Sequence, residues 1–238
     1  MNFQDIGIII GKRLLKENLN IVTLFTKSHG LYSGVVRKSA KTAAATYSEG
    51  NLVDFFWQAR LHDHLGSAKC EHLKSYNSSF IFNKTKLYAF NSIVSLIKIA
   101  FFEREPHNNF FPVFEYYLAK SSISSSFDLP SYIEVELAIL QESGYGLQLK
   151  NCAVSGFSEN LQYVSPKSGK AVSQEQGRKY ADKLLLLPKF LVESKADTSA
   201  EEVKQAFNLT SYFFNRYIFK NGQEPLERKI FTEHILHL

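Results

Sequence analysis

Seven basic residues, Lys12, Arg13, Lys16, Lys27, Arg37, Lys38 and Lys41, stand between Gly7 and Lys41 beside a single acid, Glu17. Their chemistry is that of phosphate: an ammonium or guanidinium neutralises a phosphodiester and releases its counterions. The stretch nets +6 while the whole chain nets only +5, so the rest of the sequence sums to −1. Solubility is served by mixed signs spread over a surface, so this concentration reads as a polyanion footprint. Lys12, Arg13, Lys27, Arg37, Lys38 and Lys41 are the candidate phosphate contacts, with His29 a further candidate at a turn. For any one of them the plain alternative is a solvated surface side chain.

Other chemistries are poorly supplied. His62-Asp63-His64 puts two imidazoles on one face of an extended segment, as a divalent-metal pair would, but no further ligands accompany them. His234 and His237 share a helical face at a terminus that should fray. Cys70 and Cys152 are too few and too far apart for a disulfide framework and read as reduced thiols, and Cys152 has no activating base near it in sequence. There is no Gly-x-Ser-x-Gly elbow and no Walker A run, and Gly144-Tyr145-Gly146 lacks the third glycine of a dinucleotide loop and follows a helix. The expectation is a binding protein, not an enzyme, without metal or cofactor.

The elements that must position the cations change character near Phe80. Before it, short β-branched runs separated by turn residues predict strands over 7–11, 21–26, 31–37, 52–60 and 66–72, with turns at Lys16-Glu17-Asn18 and Ser28-His29-Gly30. Five strands in so short a stretch suggest a small barrel. Its connection from Lys38 to Gly50 has little to bury and carries Lys38 and Lys41 at its base. Phe25, Tyr32 and Tyr47 are candidate stacking platforms beside the cations, although Phe25 in an alternating strand more often faces a core.

After Asn83 the apolar period becomes helical: Leu87, Phe90, Val94, Ile97 and Phe101, then Phe110, Val113, Phe114 and Tyr117. Ser131 with Glu134 and Ser199 with Glu202 read as capping boxes, Gly144 as a helix stop, and a last helix is expected from about Leu226 to His237. Between them an irregular insert, about 152–190, turns at Pro166 to Gly169. The expected fold is α+β, a five-stranded OB-type barrel over 1–80 and a mainly helical domain over 81–238.

Two segments carry a family resemblance. Asp5-Ile6-Gly7-Ile8-Ile9-Ile10, Val22 through Leu31 and Gly34-Val35-Val36-Arg37 resemble the N-terminal barrel of the RecO DNA repair proteins. Val135 through Leu140, followed by Gly144-Tyr145-Gly146-Leu147 and Cys152, resembles the helix that leads to that family's central insert. The resemblance implies a recombination mediator that binds single- and double-stranded DNA and anneals complementary strands. It also implies action with RecR to load RecA onto DNA covered by single-strand-binding protein, whose acidic, apolar-ended C-terminal tail would be a further partner. Lys98, Arg104, Lys120 and Lys150 are candidates for the rim of a tail receptor.

The chain departs from the family at the insert. Many RecO-like proteins hold zinc there with four cysteines, whereas this chain has Cys152, Ser155 three residues on, and no later cysteine pair. No zinc is expected, and packing by Tyr163, Val164 and Val172 must shape the segment instead. With no basic n-region at the N-terminus and no apolar run long enough to span a bilayer, a cytoplasmic protein without a membrane partner is expected. Two other readings compete: a generic nucleic-acid-binding OB module, with RNA a possible ligand, and a scaffold whose basic patch meets an acidic protein.

Overall fold

The computed structural model describes residues 1–37, 45–61, 64–80, 82–193 and 198–237. Five strands, β1 (Asn2–Lys16), β2 (Leu19–Thr26), β3 (Gly30–Arg37), β4 (Asn51–Gln58) and β5 (Ser67–Ser75), close into a barrel of order β1-β2-β3-β5-β4. Closure depends on the length of β1. Its first half pairs antiparallel with β4, Asn2 opposite Gln58 through Ile8 opposite Leu52, and its second half pairs with β2 from Gly7 opposite Thr26 to Lys16 opposite Leu19. One strand thus serves two neighbours, which the short 7–11 strand expected from sequence could not do. A parallel contact between Val35 and Ser67 joins β3 to β5.

A bulge between Ile9 and Gly11 explains why Ile8, Ile9 and Ile10 are all buried although alternation would expose one of them. Ile9 points into the barrel with Val22, Leu24, Tyr32, Val36, Tyr47, Val53, Phe55, Trp57 and Cys70. The Trp57 indole N–H is shared between the carbonyls of Ser33, at 3.2 Å, and Leu65, at 3.0 Å. Gly66 makes this approach possible: its φ is +72°, and a β-carbon there would lie 2.4 Å from Trp57 Nε1. Cys70, buried in this core, has its thiol pushed up to about 12 by desolvation and is inert at neutral pH.

Grouping by contacts divides the chain into two units. Unit 1 comprises Met1–Phe90 and Phe101–Phe127, and unit 2 comprises Asn91–Ala100 and Asp128–Leu238. Helix α1 (Lys84–Ala100) contributes to both, and α2 (Phe110–Ile123) belongs to unit 1. In unit 1 the outward face of Phe25 is covered by Phe101, Phe110, Phe111 and Phe114, with ring centroids 5.5–6.4 Å away. Gly30, φ +72°, lets the start of β3 pass Glu105, whose carbonyl oxygen would be 1.8 Å from a β-carbon. Lys86 is buried at the other end of α2 and donates to the carbonyls of Ser121 and Ser124 at 2.8 and 2.6 Å, satisfying acceptors that a helix C-terminus leaves open. Burial lowers its pKa.

Unit 2 packs α3 (Leu129–Glu142), α4 (Ala200–Tyr217) and α5 (Leu226–Leu236) with a small sheet of order β7-β6-β8, formed by β6 (Leu161–Val164), β7 (Ala171–Ser173) and β8 (Leu185–Leu186). Ser199 and Glu202 form the capping box of α4 that their spacing predicts. At α3 the prediction fails: Asp128 is the cap and accepts from the Ser131 N–H, so the helix starts one turn earlier, with Pro130 in its first turn. Arg228, fully buried, donates to both Glu136 oxygens at 2.8 and 3.1 Å, to Thr210 and Ser211, and to Glu224. The Tyr132 hydroxyl donates to Glu136 at 2.7 Å, so every member of this internal charge cluster has partners.

Candidate nucleic-acid interface

The register of β1, β2 and β3 sorts the basic residues into two groups. Lys12 and Arg13 follow the bulge in β1 opposite Val22 and Ile21, and Lys16 lies opposite Leu19, whose other neighbour is Arg37 at the end of β3. All four are exposed and converge on the β1–β2 hairpin end of the barrel. Lys27 and His29 sit in the β2–β3 turn at the other end of β2, about 23 Å away at the strand rise of roughly 3.3 Å per residue. Lys38 and Lys41, and His62-Asp63, lie outside the described residues.

His29 has local work. Its Nδ1 is 2.8 Å from Asp5 Oδ2, its ring stacks on Phe3 at 4.0 Å, and the same carboxylate oxygen accepts the Ser28 N–H. The imidazole therefore ties the β2–β3 turn to the start of β1. The expected stacking platforms are corrected outright. Phe25 is 0%, Tyr32 7% and Tyr47 8% exposed, because Tyr32 and Tyr47 belong to the barrel interior and Phe25 is covered from outside. None presents a free face to a base.

A further cation joins this face: Arg104, which its place in the sequence groups with the helical-domain cations, bonds its N–H to the Leu31 carbonyl of β3 at 2.9 Å. Its guanidinium lies 5.4 and 5.8 Å from the Tyr32 and Trp57 rings and donates to the His64 carbonyl at 3.0 Å. Its φ of +65° is unusual for a non-glycine residue and marks a position held by its surroundings. No local signal in Glu103-Arg104-Glu105 announces this placement, which depends on the pairing of Leu31 with Glu103.

Arg13 and Arg104 share a cavity of about 390 Å³ on the outer face of β1–β3 with Ile21, Thr23, Ser33, Leu65 and Glu103. The Thr23 and Ser33 hydroxyls are 3.0 Å apart on its floor. Two guanidinium groups beside two hydroxyls suit a phosphodiester and its sugar, and the outer face of strands 2 and 3 is where OB barrels take oligonucleotides.

At the insert, Cys152 is buried and its Sγ accepts the N–H groups of Ser155 and Ser173 at 3.5 and 3.3 Å, with the Ser173 hydroxyl at 3.5 Å. Burial alone would raise this thiol; the hydrogen bonds from Ser155 and Ser173 outweigh it and lower the pKa to about 6. The donor set does not suit zinc, which needs four ligands, since no group of three or more His, Cys, Asp or Glu that could hold a metal occurs among the described residues. Tyr163, Val164 and Val172 are buried around the segment.

Comparison with known proteins finds relatives that match along the full chain. The family model described as Recombination protein O N terminal matches residues 1–76, and Recombination protein O C terminal matches residues 82–224. A DNA repair protein RecO of Rickettsia felis is 54% identical over 237 residues, covering 100% of this chain and 99% of its own. That of Rickettsia bellii is 56% identical over 236 residues, covering 99% and 97%, and that of Rickettsia canadensis is 54% identical over 237 residues, covering 100% and 98%. With its closed five-stranded barrel, its helical unit and matches of this extent at both ends, the chain belongs to the RecO family of DNA repair proteins.

Proposed function

We propose that this chain is a recombination mediator: it binds single- and double-stranded DNA, anneals complementary strands and, with RecR, helps load RecA onto DNA covered by single-strand-binding protein. The observation that carries the reading is the convergence of Arg13, Lys16 and Arg37 with the Arg13–Arg104 cavity on the outer face of an OB-type barrel, in a chain of this family, while Lys12 is paired with Val22 on the other face of β1. In this reading residues 1–80 are the DNA-binding barrel and 81–238 the helical domain that receives protein partners. The work is binding and hand-over, without a catalytic step. Each strand brought to the barrel has its phosphate repulsion neutralised, which is the physical barrier to pairing two polyanions.

The strand path runs over the outer face of β2 from Thr23 toward Leu19 and Arg37; Lys38 and Lys41 stay candidate phosphate contacts from their place in the sequence alone. Lys27 and His29 lie beyond the aromatic cover on Phe25 and fall outside this path. Lys98, Lys120 and Lys150 remain candidates for receiving the acidic tail of single-strand-binding protein. The reading assigns the protein to the cytoplasm; among the described residues no helix is long and apolar enough to cross a membrane.

The test is annealing of complementary oligonucleotides precoated with single-strand-binding protein, with and without this chain, across a salt series. Acceleration that fades with salt is expected, with a binding slope of about −4 to −5 on a logarithmic plot for six phosphate contacts. Binding of naked strands without any pairing of coated ones would replace the mediator by a generic OB module.

A further inference from the structure

Phe25, Tyr32 and Tyr47, the rings beside the barrel's cations in sequence, are buried, so a surface that stacks on an unpaired base has to be sought in unit 2 as well. Unit 2 exposes one. Phe213, Tyr217 and Tyr145 form a ladder of near-parallel rings, Phe213 to Tyr217 at 6.3 Å and 16°, and Tyr217 to Tyr145 at 4.3 Å and 5°. Exposure rises outward along it: Phe213 is buried at 1%, Tyr217 is half-buried, and Tyr145 keeps 40% of its surface in water. The outermost ring is held from behind. Gly144, with φ +87°, reverses the chain after α3, and the Tyr145 N–H bonds to the Leu140 carbonyl at 2.8 Å. Gly146 then passes Gln141 so closely that a β-carbon would sit 1.8 Å from its Oε1.

Cations frame the ladder. Arg216 lies 5.3 Å from the centre of the Tyr217 ring and donates to the Tyr212 hydroxyl at 3.0 Å and the Pro166 carbonyl at 3.4 Å. The β6–β7 turn carries exposed Lys167 and Lys170, and it is bonded to the segment after Tyr145 through the Gln148 N–H and the Gly169 carbonyl at 2.9 Å. Glu142, the carboxylate next to Tyr145 in sequence, is already engaged. A rigid aromatic face beside three cations is the combination that non-specific single-strand sites use, with the base on the ring and its phosphates on the lysines and arginines.

We propose that Tyr145 is the stacking platform of a further single-strand contact site on unit 2, with Tyr217 and Phe213 as its support and Arg216, Lys167 and Lys170 as its phosphate contacts. This rests on the reading that the chain binds single strands, but not on the barrel residues. The site takes unpaired bases only, because in a duplex both faces of each base are already stacked.

The experiment uses the full chain and an oligothymidine carrying iododeoxyuridine, irradiated and mapped by mass spectrometry, with affinities measured by anisotropy. A crosslink to Tyr145 is expected. Tyr145→Ala should weaken oligothymidine binding about tenfold, Tyr145→Trp should retain it, and duplex affinity should stay within about twofold in both variants. Arg13→Glu with Arg37→Glu reports separately on the barrel. Crosslinks confined to barrel peptides, or unchanged oligothymidine affinity in a folded Tyr145→Ala, would overturn the proposal while leaving the barrel reading intact. Loss of affinity for an acidic, apolar-ended peptide but not for oligothymidine would also overturn it, in favour of a protein-docking surface. Absence of binding and of crosslinks everywhere would overturn both readings.

Discussion

In the barrel the rings of Phe25, Tyr32, Tyr47 and Trp57 are buried while Lys12, Arg13, Lys16 and Arg37 stand in water; in unit 2 Arg228 is sealed with Glu136 while Tyr145 remains 40% exposed. The two regions use the same two residue classes in opposite ways. What decides the role of a cation is whether the fold supplies acceptors for every donor. Arg228 has Glu136, Glu224, Thr210 and Ser211 and is part of the interior. Arg37 and Lys16 have solvent and are free for a polyanion.

The largest effect follows from breaking the buried side of this contrast. Arg228→Met leaves Glu136 with only the Tyr132 hydroxyl, and an uncompensated buried carboxylate costs about 3–5 kcal/mol. Urea unfolding of the single variant should show that loss, and adding Glu136→Leu should recover most of it. A single variant as stable as the parent would mean the pair contributes nothing to the interior.

Phe25→Ala tests whether the barrel's outer aromatic is structure or interface. Removing a fully buried ring from the cluster of Phe101, Phe110, Phe111 and Phe114 should lower stability by about 3–4 kcal/mol. DNA affinity of the folded fraction should hold. A stable variant with weakened DNA binding would return Phe25 to the list of platforms.

Cys152 gives an intermediate effect with a defined pH sign. Its folded pKa of about 6 lies below the ordinary value of 9.0, so between those values the unfolded chain binds more protons and stability rises with pH. The contribution is fully present above pH 9.0, is lost as the pH falls through about 6, and is at most about 4 kcal/mol. Thermal midpoints measured across that window should climb in the parent and flatten in Cys152→Ser. Parallel curves for the two proteins would remove the thiolate from the account of the insert.

Much of this organisation was legible in the sequence. Period-two runs gave the five strands, period changes gave the helices, and Ser199-x-x-Glu202 gave a helix start that the structure reproduces. What escaped was long-range. The extension of β1 to Asn2 depends on pairing with β4, far along the chain, and the burial of Tyr47 depends on barrel closure. Arg104 is positioned by Leu31 and His64, residues on other elements. The Tyr145 ladder needs the C-terminal half of α4, about seventy residues away in sequence, to arrive beneath it. Local pattern specifies elements; only packing specifies which side chains stay in water.

The subtlest test separates the two ends of β2. Each phosphate contact on a single strand contributes about 0.7 to the logarithmic salt slope, so Arg13→Ala and Arg37→Ala should each reduce its magnitude by that amount and weaken binding at low salt. Lys27→Ala should leave the slope unchanged, because a strand on the outer face between Thr23 and Leu19 would have to cross the aromatic cover on Phe25 to reach it. Lys27 and Arg37 are both exposed and both lie in the +6 stretch, so composition alone predicts equal effects. A slope that falls equally for both would mean that the field of the whole stretch, not a track along one barrel face, holds the DNA.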